Sequence, residues 1–168
     1  MIAYSALNPV ESSYTIYYAV LDNNGNQVFN PTSISGSDGW KVDVVESMDG
    51  KIVLAWTKYA AGQIVYAVLD NTYALIIGPV ILDSPYDREP DNVSVTYDQE
   101  GHVVLTWLDS EWSDYLYYAL IDSDGSVVTP PMIFRTGQAL DPLLVSSYTG
   151  DGNAPFVSGF TFLPAIFR

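Results

Sequence analysis

Tyr66-Ala-Val-Leu-Asp70 is the stretch that decides the fold, because its pattern occurs three times in the chain. The other copies are Tyr18-Ala-Val-Leu-Asp22 and Tyr118-Ala-Leu-Ile-Asp122. Each aspartate is followed nine residues later by a proline, at Pro31, Pro79 and Pro131. Repeats of about fifty residues are typical of stacked supersecondary units. We therefore expect residues 1–168 to form a single repeat domain.

A second recurring segment supports the same division of the chain. Asp49-Gly-Lys-Ile-Val-Leu-Ala-Trp56 recurs 51 residues later as Glu100-Gly-His-Val-Val-Leu-Thr-Trp107. A third copy, Asp151-Gly-Asn-Ala-Pro-Phe156, keeps the turn and loses the tryptophan, as is common in terminal repeats. The predicted units cover about residues 1–36, 37–87 and 88–138, with a partial unit at 139–168.

Each unit is predicted to contain four antiparallel strands. In the central unit they are Lys41–Glu46, Lys51–Thr57, Gln63–Leu69 and Leu75–Leu82. These runs are rich in Val, Ile, Tyr, Thr and Trp and are separated by Asp-Gly, Asn-Gly and Ala-Gly turns, which is typical of short antiparallel strands. The fold class is therefore all-β.

Two features favour stacked blades over a two-layered sandwich. Two strands are apolar at both odd and even positions, Ile52–Trp56 and Ile64–Leu69. Because alternate residues point to opposite faces, this indicates strands covered on both faces. The recurrent prolines fall in the fourth strand of each unit, and a proline cannot donate to a ladder, so this strand should be an edge. The pattern predicts a β-propeller-like array of three to four four-stranded blades.

The sequence pattern of the first unit lacks a first strand, because Ala3–Leu7 aligns with the second strand of the other units. Leu143–Tyr148 matches a first strand and is the best candidate within the chain to complete that blade. The alternatives are a strand from another chain or further blades of a longer propeller. Exposed blade edges favour a homo-oligomer formed by edge pairing.

Charge and composition exclude several partners. Twenty acidic residues against six basic ones give a net charge of −14, and the Lys and Arg residues are scattered singly, so nucleic acid is not an expected partner. The longest uncharged apolar stretch, Ala74–Leu82, is far shorter than the roughly 20 residues of a membrane helix. Cysteine is absent, which excludes disulfides and thiolate metal sites.

The repeat pattern Tyr-Tyr-Ala-Val-Leu-Asp-x-x-Gly-x-x-Val occurs at 17–28 and, in a close variant, at 117–128. It resembles repeats in large secreted propeller-like proteins of filamentous Chloroflexota-type bacteria. The ending Phe160-Thr-Phe-Leu-Pro-Ala-Ile-Phe-Arg168 is similar to the aromatic-Leu-Pro tail of many exported proteins of that group. The resemblance implies a propeller-like architecture and an extracellular or cell-surface location.

Two Asp-rich turns are weak candidates for a calcium site, the only cofactor that the sequence brings into question. Alternate oxygens of Asp22 and Asn24, and of Asp122 and Asp124, could serve as hard ligands. Hairpin turns use the same residues for their backbone tolerance, and this is the favoured interpretation. His102, the only histidine, is predicted to have a structural role.

Carboxylates and aromatics raise the question of a sugar ligand. An acid pair for glycoside hydrolysis could come from the innermost strands, and the alternative is solvated loop charge. The acidic candidates are Asp38, Asp43, Glu46, Glu89, Asp91 and Asp141. Aromatic residues outside the repeat pattern could stack on a glycan or form an oligomer interface. These ligand candidates are Tyr59, Tyr73, Tyr86 and Trp112.

No nucleophile motif or other catalytic signature occurs, so no catalytic residue is assigned. The sequence favours a non-enzymatic extracellular protein that serves in a scaffold, an adhesion module or a surface assembly. The alternatives are a carbohydrate-binding or glycoside-hydrolysing propeller domain, and a fragment of a longer propeller protein. A glycan array separates the first two classes, because only a carbohydrate-active domain would bind.

Overall fold

A computed structural model describes residues 1–8, 13–47, 49–58, 62–83, 89–109 and 115–136. Within these ranges the chain forms β-strands joined by turns and contains no helix, which confirms the all-β class. It follows that the described part of the chain has no helix of the length and apolarity needed to cross a membrane. Leu143–Tyr148, the proposed completing strand, lies outside the described residues.

The strands form three antiparallel sheets, and each sheet is a meander of strands consecutive in sequence. Sheet I contains β1 (Ile2–Asn8), β2 (Ser13–Leu21) and β3 (Gln27–Asp38). Sheet II contains β4 (Trp40–Glu46), β5 (Ile52–Lys58), β6 (Gln63–Leu69) and β7 (Leu75–Asp83). Sheet III contains β8 (Pro90–Tyr97), β9 (Val103–Asp109), β10 (Tyr115–Ile121) and β11 (Val127–Thr136).

The predicted strands of the central unit agree with β4 to β7 to within one residue at each end. The turn between β4 and β5 shows why the boundary lies there. Gly50 has a φ of +78°, which glycine tolerates, and its N–H donates to the Ser47 carbonyl at 2.9 Å. The equivalent Gly101, with a φ of +90°, closes the turn before β9 in the same way.

The fourth-strand prolines lie where the sequence predicts them. Pro31, Pro79 and Pro131 fall within β3, β7 and β11, and each of these strands is the outermost member of its sheet. Each proline also lies at a β-bulge, where it has no partner in the ladder, so its missing N–H is tolerated.

Sheet II lies between the other two sheets and buries both of its faces. Val53 and Tyr66 belong to a core shared with sheet III, which includes Trp107. Leu54 and Trp56, on the opposite face, belong to a second core with residues of sheet I. Consecutive strand residues point to opposite faces. A strand that is apolar at odd and even positions therefore contributes side chains to the cores on both sides of its sheet. This confirms the predicted coverage of both faces for the central sheet.

The sheets contact one another most extensively at their first strands. β4 lies against both β1 and β8, whereas the outermost strands of neighbouring sheets barely meet. Tyrosines at equivalent positions of β2 and β6 also link neighbouring sheets: the Tyr18 hydroxyl donates to the Tyr73 carbonyl at 2.9 Å, and the Tyr66 hydroxyl donates to the Gly125 carbonyl at 2.7 Å. The same hydrogen bond thus recurs between sheets I and II and between sheets II and III.

Candidate functional site

The Asp22 turn uses its carboxylate to hold its own backbone. Asp22 Oδ1 accepts hydrogen bonds from the N–H groups of Asn24 at 2.9 Å and Asn26 at 2.8 Å. Hydrogen bonds from the Asn26 side chain and backbone lower the pKa of Asp22. This geometry is that of an Asx turn, in which the carboxylate oxygens already have partners.

The second predicted calcium turn, in sheet III, has the same backbone hydrogen bond, from the Gly125 N–H to the Asp122 carbonyl, but different carboxylate contacts. Asp122 Oδ1 accepts from the Ser123 N–H at 2.6 Å, and Asp124 Oδ1 accepts from the Ser126 N–H at 2.8 Å. Hydrogen bonds from Ser126 lower the pKa of Asp124. The two Asp-rich turns belong to sheets I and III, on opposite sides of sheet II, so the fold does not bring them together into one site.

His102 lies in a carboxylate-rich turn that the sequence analysis did not single out. Ligand atoms of Asp98, Glu100 and His102 come within 4.8 Å of one another. Asp98 Oδ1 accepts from the N–H of Glu100 at 3.0 Å and of His102 at 2.9 Å, and Asp98 Oδ2 lies 2.9 Å from His102 Nδ1. The alternating Asp-x-Glu-x-His spacing was the signal that could have identified this group.

The equivalent turn of sheet II shows what this group does structurally. Lys51 occupies the position of His102, and its ammonium pairs with Asp49 Oδ2 at 2.8 Å. Burial raises the pKa of Asp49, and hydrogen bonds from Lys51 and Ser47 lower it, with a net pKa of about 2. In both sheets the side chain at this position therefore contacts a turn carboxylate, Asp49 in the case of Lys51 and Asp98 in the case of His102.

Asp98→Asn is expected to lower the pKa of His102, because the hydrogen bond that Asp98 accepts from the imidazole is the main cause that raises it. An NMR titration checks this, since the only histidine gives one imidazole signal. Glu100→Gln is the matched control and should have a smaller effect, because Glu100 acts only through its charge. An equal pKa of His102 in the Asp98→Asn variant and in the wild type would contradict the hydrogen bond between Asp98 and His102.

The sign of the accompanying stability change follows from the raised pKa. Protonated His102 stabilises the fold fully below its unfolded pKa of about 6.5. This contribution is lost as the pH rises through the higher folded pKa. The pair is on the surface, so the stability change is expected to be small.

The inner-strand carboxylates hold sheets II and III together. Asp43 Oδ2 accepts from the Val95 N–H at 2.9 Å and from the Ser94 hydroxyl at 3.2 Å, both on β8. Asp91 forms an ion pair with Lys41 of β4. Asp43 and Asp91 thus have defined partners across the junction of the two sheets. Their carboxylates join sheet II to sheet III.

The remaining acidic candidates lie at or next to strand ends, or outside the described residues. Asp38 and Glu46 are exposed at the ends of β3 and β4, and Glu89 is half-buried directly before β8. Asp141 lies outside the described residues.

Tyr73 is the one predicted sugar-stacking residue that the structure describes. It is half-buried, its ring lies 5.2 Å from that of Phe29, and its carbonyl accepts the hydrogen bond from Tyr18. With a φ of +68°, it occupies the turn position held by glycine in the other two units. Its aromatic ring therefore contributes to the contact between sheets I and II. Tyr59, Tyr86 and Trp112 lie outside the described residues.

The outer face of sheet I, defined by Ile2, Tyr4, Tyr17, Ala19 and Leu21, faces away from sheet II. Ile2 pairs with Ala19 and Tyr4 pairs with Tyr17, so these side chains share a face, and the Tyr4 and Tyr17 rings stack at 5.6 Å. The exposed fractions are 45% for Ile2, 37% for Tyr4 and 36% for Leu21. This apolar face is the candidate interaction surface.

The same positions of sheet II are completely buried. Pairing of Leu54 with Ala67 and of Trp56 with Val65 makes Leu54 the counterpart of Ile2 and Trp56 the counterpart of Tyr4. Leu54 and Trp56 have no exposed surface, because sheet I covers them. The outer face of sheet I is therefore the kind of surface that a neighbouring sheet covers elsewhere in this chain.

No family model, curated protein or solved structure matches this chain. The function must therefore be inferred from the candidate surface itself.

The two ends of the stack differ. On the far face of sheet III, Val104, Leu108 and Leu116 are at most 5% exposed. The outer face of sheet I is thus the open end. β1 and β2 contain no charged residue, although the chain carries a net charge of −14. An uncharged apolar face of this kind on an acidic protein is typical of an interaction site.

Proposed function

We propose that this chain is a non-enzymatic extracellular structural module, a propeller-like scaffold that associates with a second copy of itself at the open end of sheet I. The observation that carries this proposal is the exposure of Ile2, Tyr4 and Leu21 at positions whose counterparts in sheet II are buried under a neighbouring sheet. A partner on this face would bury apolar side chains in the way sheet I buries Leu54 and Trp56.

Three further observations support the propeller-like part of the proposal. The antiparallel sheets stack face to face, their first strands contact one another most extensively, and their proline-bearing strands lie at the outer edge. The likeness of the repeat and of the C-terminal tail to secreted propeller-like proteins supports the extracellular location. The structural engagement of Asp43, Asp91 and Tyr73 favours a scaffold over a carbohydrate-active site.

A second copy is the expected occupant of this face. The outer face of sheet I is equivalent to the face of sheet II that sheet I covers, so a sheet of another copy could pack on it in the same way. Edge pairing at β1 would extend the same contact. Contact between two different surfaces of identical chains leads to a closed ring or to a filament, either of which suits a scaffold or surface assembly.

Ile2→Asp is expected to weaken self-association at least about tenfold, because a carboxylate in an apolar interface costs more than 1.4 kcal/mol. Ile76→Asp is the matched control: Ile76 is 46% exposed, compared with 45% for Ile2, but lies on the outermost strand of sheet II. Sedimentation velocity over a concentration series measures both variants. A wild-type chain that remains monomeric throughout, or an equal effect of the two substitutions, would overturn the proposal.

A further inference from the structure

The turn between β8 and β9 brings three metal-ligating side chains together. Ligand atoms of Asp98, Glu100 and His102 all lie within 4.8 Å of one another, and no other group of this kind occurs among the described residues. The Asp98 N–H donates to the His102 carbonyl at 2.9 Å, so a backbone hydrogen bond closes the turn. The ends of the group are thus held together by the fold.

Two of the ligand atoms already have nearly the separation that one ion requires. Asp98 Oδ2 lies 2.9 Å from His102 Nδ1. Adjacent ligands of a tetrahedral zinc ion are about 3.4 Å apart, because the bonds to nitrogen and oxygen are about 2.1 Å long. The other oxygen of Asp98 accepts two backbone N–H groups, which fixes the carboxylate in place. The pair is therefore arranged in advance for an ion.

Glu100 has the freedom needed to supply a third ligand. It is exposed, and it contributes its backbone N–H to the turn. From the 4.8 Å limit, its carboxylate has to approach by at most about 1.4 Å to reach the ligand separation of a zinc ion. Rotation about side-chain bonds provides a movement of this size.

The imidazole makes this group more than a cluster of negative charges. Calcium takes six to eight oxygen ligands, and magnesium also prefers oxygen. An imidazole nitrogen suits zinc, which binds histidine and carboxylates and is often held by three protein ligands with water in the fourth position. The donor set therefore favours zinc over the calcium considered for the Asp22 and Asp122 turns.

The equivalent turn of sheet II already contains a cation of its own. Ser47, Asp49 and Lys51 occupy the corresponding positions at a spacing of 51 residues. The Lys51 ammonium lies 2.8 Å from Asp49 Oδ2 and also donates to the Ser123 carbonyl at 3.1 Å. In this turn one carboxylate and one ammonium balance each other.

The turn of sheet III differs in the direction that a metal site requires. Asp98 in place of Ser47 adds a carboxylate, and His102 in place of Lys51 removes the ammonium and adds a nitrogen ligand. With a neutral imidazole the group carries two uncompensated negative charges. In the described part of the chain, no Lys or Arg forms an ion pair with either carboxylate.

We propose that the turn between β8 and β9 binds one zinc ion through Asp98, Glu100 and His102, with water in the remaining position. The ion takes the place that the lysine ammonium has in the equivalent turn of sheet II. Its binding displaces the proton shared by Asp98 and His102 to the solvent. This inference is independent of the proposed self-association, because none of the three residues belongs to sheet I.

Zinc chloride added to the full chain, purified without a histidine tag, tests the site. His102 is the only histidine, so its ring signals in an NMR spectrum report on this turn alone. We expect zinc to shift or broaden them, and calorimetry to give one ion per chain. Calcium chloride should leave the signals unchanged. Unchanged signals in excess zinc, or equal shifts with the two metals, would overturn the proposal.

Glu100→Gln is expected to weaken zinc binding at least about tenfold, since even the loss of a residue that only orients a ligand costs about 10–100-fold in affinity. Asp70→Asn is the matched control and should leave the affinity unchanged. Asp70 is also a turn carboxylate that accepts two backbone N–H groups, from Thr72 at 2.8 Å and Ala74 at 3.0 Å. Equal weakening in both variants would assign the binding to the net charge of −14 and overturn the site.

His102→Lys provides a second test in which the fold is expected to be retained. It places in sheet III the residue that the equivalent turn of sheet II accommodates as Lys51. The ammonium replaces both the nitrogen ligand and the ion, so calorimetry should detect no zinc binding. Circular dichroism checks that the strands are intact. Zinc affinity equal to that of the wild type in this variant would overturn the role of His102.

Discussion

Leu54→Ala is expected to lower the free energy of unfolding by about 3 kcal/mol, and Val53→Ala by about 2 kcal/mol. The two residues are adjacent in β5 and point to opposite faces. Leu54 lies in the core between sheets I and II, and Val53 lies in the core between sheets II and III; their exposed fractions are 0% and 1%. Each substitution leaves a cavity that close-packed neighbours fill only in part. Urea denaturation measures both.

The pair tests the stacking of the three sheets directly. In a two-layered sandwich one face of each sheet is in contact with water, so one of two consecutive residues would be replaced at little cost. Ile76→Ala, at a position 46% exposed on the outermost strand β7, is the control and should change the free energy by less than about 0.5 kcal/mol. A similarly small effect of either Val53→Ala or Leu54→Ala would show that sheet II is covered on one face only.

Gly78→Ala is expected to destabilise the fold by about 3 kcal/mol. Gly78 has a φ of +95° in β7, where a β-carbon would lie 2.7 Å from the Tyr66 carbonyl oxygen and 3.0 Å from Ala67 Cα. Backbone strain of about 1–2 kcal/mol and overpacking of about 1–3 kcal/mol both contribute, because backbone atoms of β6 cannot move aside as a side chain can. Thermal and urea denaturation give the change.

Gly36→Ala separates the two contributions. Gly36 lies in β3 with a φ of +73°, and a β-carbon there would meet nothing within 4 Å. Only the strain remains, so a loss of about 1 kcal/mol is expected. Equal losses in Gly36→Ala and Gly78→Ala would mean that β7 is not packed against β6 at the bulge opposite Ala67.

The repeat made the strands and their edges predictable. Copies of one pattern must adopt similar local structure, so the bounds of β4 to β7 and the edge position of Pro31, Pro79 and Pro131 could be read before the structure was known. The candidate sites were less accessible to sequence reasoning. A carboxylate such as Asp43 has the same side chain in a catalytic pair and in a sheet junction, and only its partners on β8 distinguish the two roles.

The amino-acid sequence by itself determined the all-β class, the edge position of the proline-bearing strands and the apolar character of both faces of the central strands, because side-chain alternation and turn residues are local properties. Only the tertiary structure decided which faces are covered. Ile2 and Leu54 are equivalent apolar residues in the pattern, yet one is 45% exposed and the other is completely buried. The difference depends on the neighbouring sheet, and burial is a property of packing that a residue's own identity does not contain.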